Sequence, residues 1–215
     1  MPMIDRQTPP PPPMRALWVL VVILFAIEAM LQLNEMGLGG ISRREAYTYG
    51  AFWRPLVTGD LNPVFSLQPV TMFLSHAFLH GSVLHVVMNT VILLSVGRLV
   101  ITICGQMRML VLFVVTAVAG GAGFALFGPA DLVPMVGASG AVFGFMAAWK
   151  RWEYAALKSA GRSTTPVLKF IGVLTVLNVV LHFGLGGTLA WQAHLGGALA
   201  GWFLAPLLRS PRPLR

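Results

Sequence analysis

From Ala16 onward the sequence returns repeatedly to long apolar runs with few charges, and that pattern removes most folds from consideration. A run of about 20 apolar residues is long enough to cross a bilayer as a helix. Inside lipid every backbone N–H and C=O must find a partner within the protein, which excludes open sheets and leaves helices. Six runs qualify as helices: Ala16–Leu33, Leu79–Ile101, Met107–Phe127, Val136–Trp149, Val167–Phe183 and Leu189–Leu208. The fourth is short for a whole bilayer. The expected fold is all-α, a polytopic membrane bundle of six transmembrane helices. Charged residues make up 10% of the chain, against about a quarter in soluble domains.

Three regions follow. Residues 1–14 read as a disordered, proline-rich leader, since Pro9–Pro13 favours an extended polyproline conformation, and no cleavage site precedes the first apolar run. Residues 15–208 form the membrane domain, and 209–215 a short basic tail. Between Asn34 and Phe78 lies a long mixed stretch with Tyr47, Tyr49, Phe52 and Trp53. Aromatic residues favour the headgroup level, so a structured first loop with short helices, partly immersed in the membrane, is expected.

The net charge of +8 reflects topology and calls for no nucleic acid. With six crossings and an inner N-terminus, Arg6, Arg15, Arg98, Arg108, Lys150, Arg151, Lys158, Arg162, Lys169, Arg209, Arg212 and Arg215 lie inside. Only Arg43, Arg44 and Arg54 lie outside. Positive residues concentrate on the cytoplasmic side, so both termini are expected there. A bacterial inner membrane suits this arrangement. Cys104 is the single cysteine and reads as a small buried side chain.

Polar residues within apolar helices are functional candidates by default. His85 and Asn89 are four apart and share one helix face, where two donors can meet a developing oxyanion or bond across helices as structural glue. Gly137-Ala138-Ser139-Gly140 puts a serine in the first turn of the fourth helix, where N–H groups lack helical partners. Gly140 and Gly144 are spaced for close helix packing, as are Gly197 and Gly201 below His194. If those two glycine faces meet, Ser139 comes near His194, and a serine becomes nucleophilic when a neutral imidazole can take its proton. Each cluster alone also reads as a packing feature. His76 and His80 lack a following glutamate of the metalloprotease type, so hydrogen bonds fixing the first loop are expected, with no metal and no cofactor. Asn178 and His182 read as groups that bond across helices or face the outer water, and Glu28 as a structural partner in the first span.

Taken together and in this order, HxxxN on span two, GxSG on span four and AHxxGxxxG on span six resemble the rhomboid family of intramembrane proteases. The resemblance covers about residues 16–208, nearly the whole chain. It implies Ser139 as nucleophile and His194 as general base and later acid. It implies an oxyanion hole from His85, Asn89 and the Ser139 N–H. Gly137 and Gly140 would shape the serine turn, Phe143 would stack on His194, and His80, Gly197 and Gly201 would support. Because the family uses a dyad, the imidazole would be oriented by packing. Substrates would be single-span transmembrane proteins in the lipid bilayer, cut after a small residue and admitted near helix five and Gly184–Gly187.

Two departures stand out. Where many members carry Trp-Arg before the first histidine, this chain has Thr71 and Met72, and Trp53-Arg54 lies too early to be equated with it. A glutamate common after the second span is missing from Gly97–Ile101. An adaptor that binds membrane helices without cutting is disfavoured by the presence of both Ser139 and His194. A transporter is disfavoured because no internal repeat is evident.

Overall fold

The computed structural model describes residues 13–210, and within them the chain is helical, with one isolated backbone bridge, Phe52 to Met135. The helices are α1 (Arg15–Glu35), α2 (Arg43–Gly50), α3 (Arg54–Thr58), α4 (Gln68–Ser75), α5 (Val83–Cys104), α6 (Gln106–Phe127), α7 (Ser139–Ser159), α8 (Thr165–Gly184) and α9 (Trp191–Leu208). A 3-10 turn, His76–Phe78, joins α4 to α5. The proline-rich leader up to Pro12 and residues 211–215 of the basic tail lie outside the described residues. Four helices, α1, α5, α6 and α8, are long and apolar enough to span a bilayer.

Local chemistry moves several boundaries away from the sequence expectation. The second run begins as a helix only at Val83, because the Ser82 side chain caps it by accepting the His85 N–H at 3.2 Å. His80 and Gly81 are thereby left outside the helix. The fourth run begins at Ser139, since Gly137 adopts φ +123° and interrupts helical geometry. It does not stop at Trp149 but continues to Ser159. There the polar residues support one another: Lys150 pairs with Glu153 at 2.7 Å, and Trp152 Nε1–H donates to the Ala205 carbonyl at 2.7 Å. That carbonyl belongs to the last turn of α9 and has no helical partner of its own.

The first loop is built from α2, α3, α4 and the 3-10 turn. Ser42 and Glu45 form a reciprocal capping box that starts α2.

α7 stands at the centre. On one side α5 packs against it and α1 against α5 and α6, with Leu17, Leu24, Val86, Leu93, Phe145 and Trp152 in one apolar cluster. On the other side α6 and α9 approach it backbone to backbone. A Cβ on Gly197 would overlap the Gly140 carbonyl, and one on Gly201 would overlap that of Gly144. The sequence also places small residues on α6 that complete this contact: Gly120 meets Gly140, and Gly123 lies against the Gln192 carbonyl. Helices in lipid gain little from the hydrophobic effect, so close van der Waals packing between small residues holds them. α8 is the exception, with Val167 its only buried residue.

Gly197→Ala is expected to cost about 1–3 kcal/mol by overpacking, read as a lower thermal midpoint in detergent. Gly172→Ala on α8, where a Cβ meets nothing within 4 Å, is expected to leave that midpoint unchanged or raise it.

Candidate active site

The chain entering α7 is held from two sides. The Met135 and Phe52 backbones exchange hydrogen bonds of 2.9 and 3.0 Å. The Gly137 N–H donates to the His76 carbonyl at 2.9 Å, and the Ala138 N–H to His80 Nε2 at 3.4 Å. Only glycine fits at 137, because φ is positive and a Cβ would sit 2.8 Å from the His85 ring. These constraints present Ser139 as the first residue of α7.

Ser139 Oγ lies 2.9 Å from His194 Nε2. The distance follows from the helix contact described above, since Gly140 and Gly197 are neighbours of the two residues along their helices. Phe143, one turn after Ser139, stacks flat on the His194 ring with centroids 4.1 Å apart and planes at 6°. The sequence led us to expect packing alone to orient the ring, but packing is not the whole of its support. His194 Nδ1 is 2.9 Å from Asn178 Oδ1 on α8. Asn178 thus bonds across helices to the imidazole itself. No motif marks it, because it lies 16 residues away on another helix. His182 instead donates from Nδ1 to the Leu189 carbonyl at 3.0 Å, bracing the α8–α9 loop.

His85 and Asn89 project from the first turns of α5 toward Gly137, with His85 Nε2 at 2.9 Å and Asn89 Nδ2 at 3.8 Å from the position its Cβ would occupy. The Gly81 N–H donates to His85 Nδ1 at 3.3 Å. Neutral His85 therefore carries its proton on Nε2, the nitrogen facing the serine turn. Asn89 Nδ2 is buried and makes no hydrogen bond among the described residues. Two donors thus converge beside the first turn of α7, whose own N–H groups lack helical partners.

His76 and His80 are placed as loop supports. His76 donates from Nδ1 to the Met72 carbonyl at 2.8 Å, and burial pushes its pKa down to about 4, so it stays neutral. Met72 occupies one of the positions where a Trp-Arg pair was sought. The Trp53-Arg54 pair ties the loop elsewhere: Trp53 Nε1–H donates to the Tyr47 carbonyl at 2.8 Å, and Arg54 Nε–H to the Ala125 carbonyl at 3.0 Å.

The main loop anchor is one that sequence reasoning missed. Arg43 grips the Glu28 carboxylate with both terminal nitrogens, at 2.8 and 3.1 Å. It also donates to Glu35 at 2.6 Å and to the His80 carbonyl at 2.5 Å. The Tyr47 hydroxyl donates to that same carbonyl at 2.8 Å. Hydrogen bonding to Glu28, with Glu35 adding to it, holds the guanidinium pKa above its ordinary value. The signal was available: an acid in an apolar helix needs a cation, and Arg43 was in reach on the loop that follows.

Between α7, α8 and α9 lies a cavity of about 820 Å³. Phe143, Phe170, Leu174 and Trp191 give it apolar walls, and His194 and Asn178 face it.

Comparison with known proteins agrees with this architecture. The Rhomboid domain family model matches residues 68–211, which contain every candidate residue from His80 to Gly201. The chain is 30% identical over 137 residues to the rhomboid protease GluP of Bacillus subtilis, covering 62% of this chain and 25% of that one. It is 31% identical over 159 residues to the rhomboid protease GlpG of Yersinia pestis, covering 70% of this chain and 55% of that one. An uncharacterized protein of Mycobacterium tuberculosis is 31% identical over 140 residues, covering 62% of this chain and 57% of its own. The chain therefore belongs to the rhomboid family, a family of multi-pass integral membrane proteins. It spans between a quarter and somewhat over half the length of these relatives. The Arg43–Glu28 anchor lies before the matched segment.

Glu28→Leu is expected to destabilise by about 1.5–3 kcal/mol, because it removes the main hydrogen-bond partner of the largely shielded Arg43 guanidinium and leaves Glu35. Glu35→Ala removes an exposed partner and is expected to cost less than about 1 kcal/mol. Thermal unfolding of both variants in detergent measures the difference.

Proposed function

We propose that the chain is an intramembrane serine endopeptidase that hydrolyses peptide bonds in transmembrane segments. The observation that carries this reading is the 2.9 Å hydrogen bond between Ser139 Oγ and His194 Nε2. Family membership and the converging donors beside it add support.

In this reading Ser139 Oγ attacks the scissile carbonyl carbon while its proton passes to His194 Nε2. The carbonyl oxygen becomes an oxyanion beside His85 Nε2–H, Asn89 Nδ2–H and the Ser139 N–H. His194 returns the proton to the leaving amine as the C–N bond breaks. Water then attacks the acyl carbon as its proton passes to His194, and that proton returns to Ser139 Oγ as the acyl–oxygen bond breaks. Asn89 gains the hydrogen bond that it lacks within the protein. Gly137 and Gly140 serve by geometry, His80 by holding Ala138, and Phe143 by fixing the ring plane. Neither metal nor cofactor is called for.

α7 and α9 complete six crossings in this reading, with both termini cytoplasmic and the protein in a bacterial inner membrane. The substrate is a single-span protein whose helix unwinds near the cut, because a helical carbonyl is already bonded and shielded. It enters from the bilayer beside α8 and Gly184–Gly187, and a small residue precedes the cleaved bond.

The test is cleavage of a single-span reporter with an unstable helix in liposomes. Ser139→Ala and His194→Ala are expected to abolish cleavage while the fold is kept. His85→Ala and Asn89→Ala are expected to lower turnover by about 10²–10³. A folded wild type that cuts none of a varied reporter panel would overturn the reading in favour of an adaptor that binds membrane helices.

A further inference from the structure

Asn178 sits on the helix least committed to the bundle. Val167 is the only buried residue of α8, and Val173, Val176, Val180 and Phe183 are all exposed. Yet from that helix Asn178 Oδ1 reaches within 2.9 Å of His194 Nδ1. An amide oxygen accepts hydrogen bonds and cannot donate them. The bond therefore requires a proton on Nδ1. A neutral imidazole carries one proton, so Nε2 keeps its lone pair, and that lone pair faces Ser139 Oγ at 2.9 Å. The opposite tautomer would set a bare Nδ1 against an oxygen lone pair, and Nε2–H would face the serine with no basic site to offer it.

The other contact on the ring does not discriminate. Phe143 lies parallel at 6° and restrains the plane equally well for either tautomer. We infer that Asn178 is a positioning residue that selects the base-competent tautomer of His194. The inference rests on Ser139 and His194 acting as proposed above. As the Ser139 proton moves to Nε2, the imidazole holds a proton on each nitrogen and a positive charge. The Asn178 carbonyl dipole then accepts a charge-assisted hydrogen bond from Nδ1–H, which strengthens as the charge develops. When Nε2 gives its proton to the leaving amine, the ring returns to the tautomer it started from.

The experiment uses the full chain in detergent micelles with ¹⁵N-labelled histidine, the His194 signals being assigned by their loss in His194→Ala. Wild type is expected to show a protonated Nδ1 and an unprotonated Nε2. Asn178→Leu, close in size and unable to accept, is expected to shift the ring toward the Nε2–H tautomer. Its kcat should fall about 10- to 100-fold, the loss typical of a hydrogen bond to a charged group, with KM changed less than about twofold. Asn178→Asp keeps an acceptor oxygen and is expected to keep the wild-type tautomer and most of the turnover. An Asn178→Leu protein with unaltered tautomer and kcat would overturn the inference. So would a wild-type His194 protonated on Nε2, a reading that needs no variant to fold. Because the spectrum needs no cleavage, the two readings separate. A wild type with Nδ1–H that cuts no reporter supports this inference and counts against the protease reading, whereas a cutting wild type with Nε2–H does the reverse.

Discussion

Two helix backbones touch, and the rest of the site depends on that contact. α7 and α9 meet where Gly197 lies against the Gly140 carbonyl and Gly201 against that of Gly144. No side chain intervenes, so the separation of the helices is set by backbone van der Waals radii. Ser139 and His194 each lie within three residues of that contact, which leaves their side chains little freedom to drift apart. A pair built on loops would need further bonds to reach the same precision. Here the geometry is inherited from packing, and α6 closes it from the far side with Gly120 and Gly123.

The Arg43–Glu28 pair solves a different problem. The serine turn needs a rigid neighbour, and the first loop provides it through His76, His80 and Phe52. The loop packs on the bundle through Phe52, Leu56, Met72 and Leu79. An almost fully buried carboxylate in α1, 3% exposed, adds a polar anchor, and Glu35 binds the same guanidinium. Burying the pair carries a desolvation cost, so its value lies less in net stability than in admitting one register of loop against helix. The same guanidinium reaches the His80 carbonyl, and His80 holds Ala138, so the chain of bonds runs from α1 to the residue before Ser139.

What could be read from the sequence follows from how local each signal is. Apolar runs and glycine spacing depend on neighbours within one helix, so the long helices and the α7–α9 meeting were legible. The cap at Ser82 and the turn at Gly137 moved boundaries by a few residues, because a hydropathy pattern does not register them. α7 outran its apolar segment because ion pairing and the Trp152 bond sustain a helix that hydropathy alone would end. That Glu28 needs a cation was legible, but not that Arg43 supplies it, nor that Asn178 meets His194. Each contact joins residues on separate elements, and neither spacing carries a repeat or a motif to betray it.

The placement of Asn178 has a consequence for how such a site works in lipid. α7 and α9 are locked together, so the Ser139–His194 separation survives when a neighbouring helix moves. On the inference drawn above, the tautomer is held from α8, which has Val167 as its only buried residue. Geometry and proton placement are therefore fixed by different parts of the fold, one rigid and one loosely seated. The cavity between α7, α8 and α9 widens if α8 moves outward, and the same motion lengthens the bond to His194.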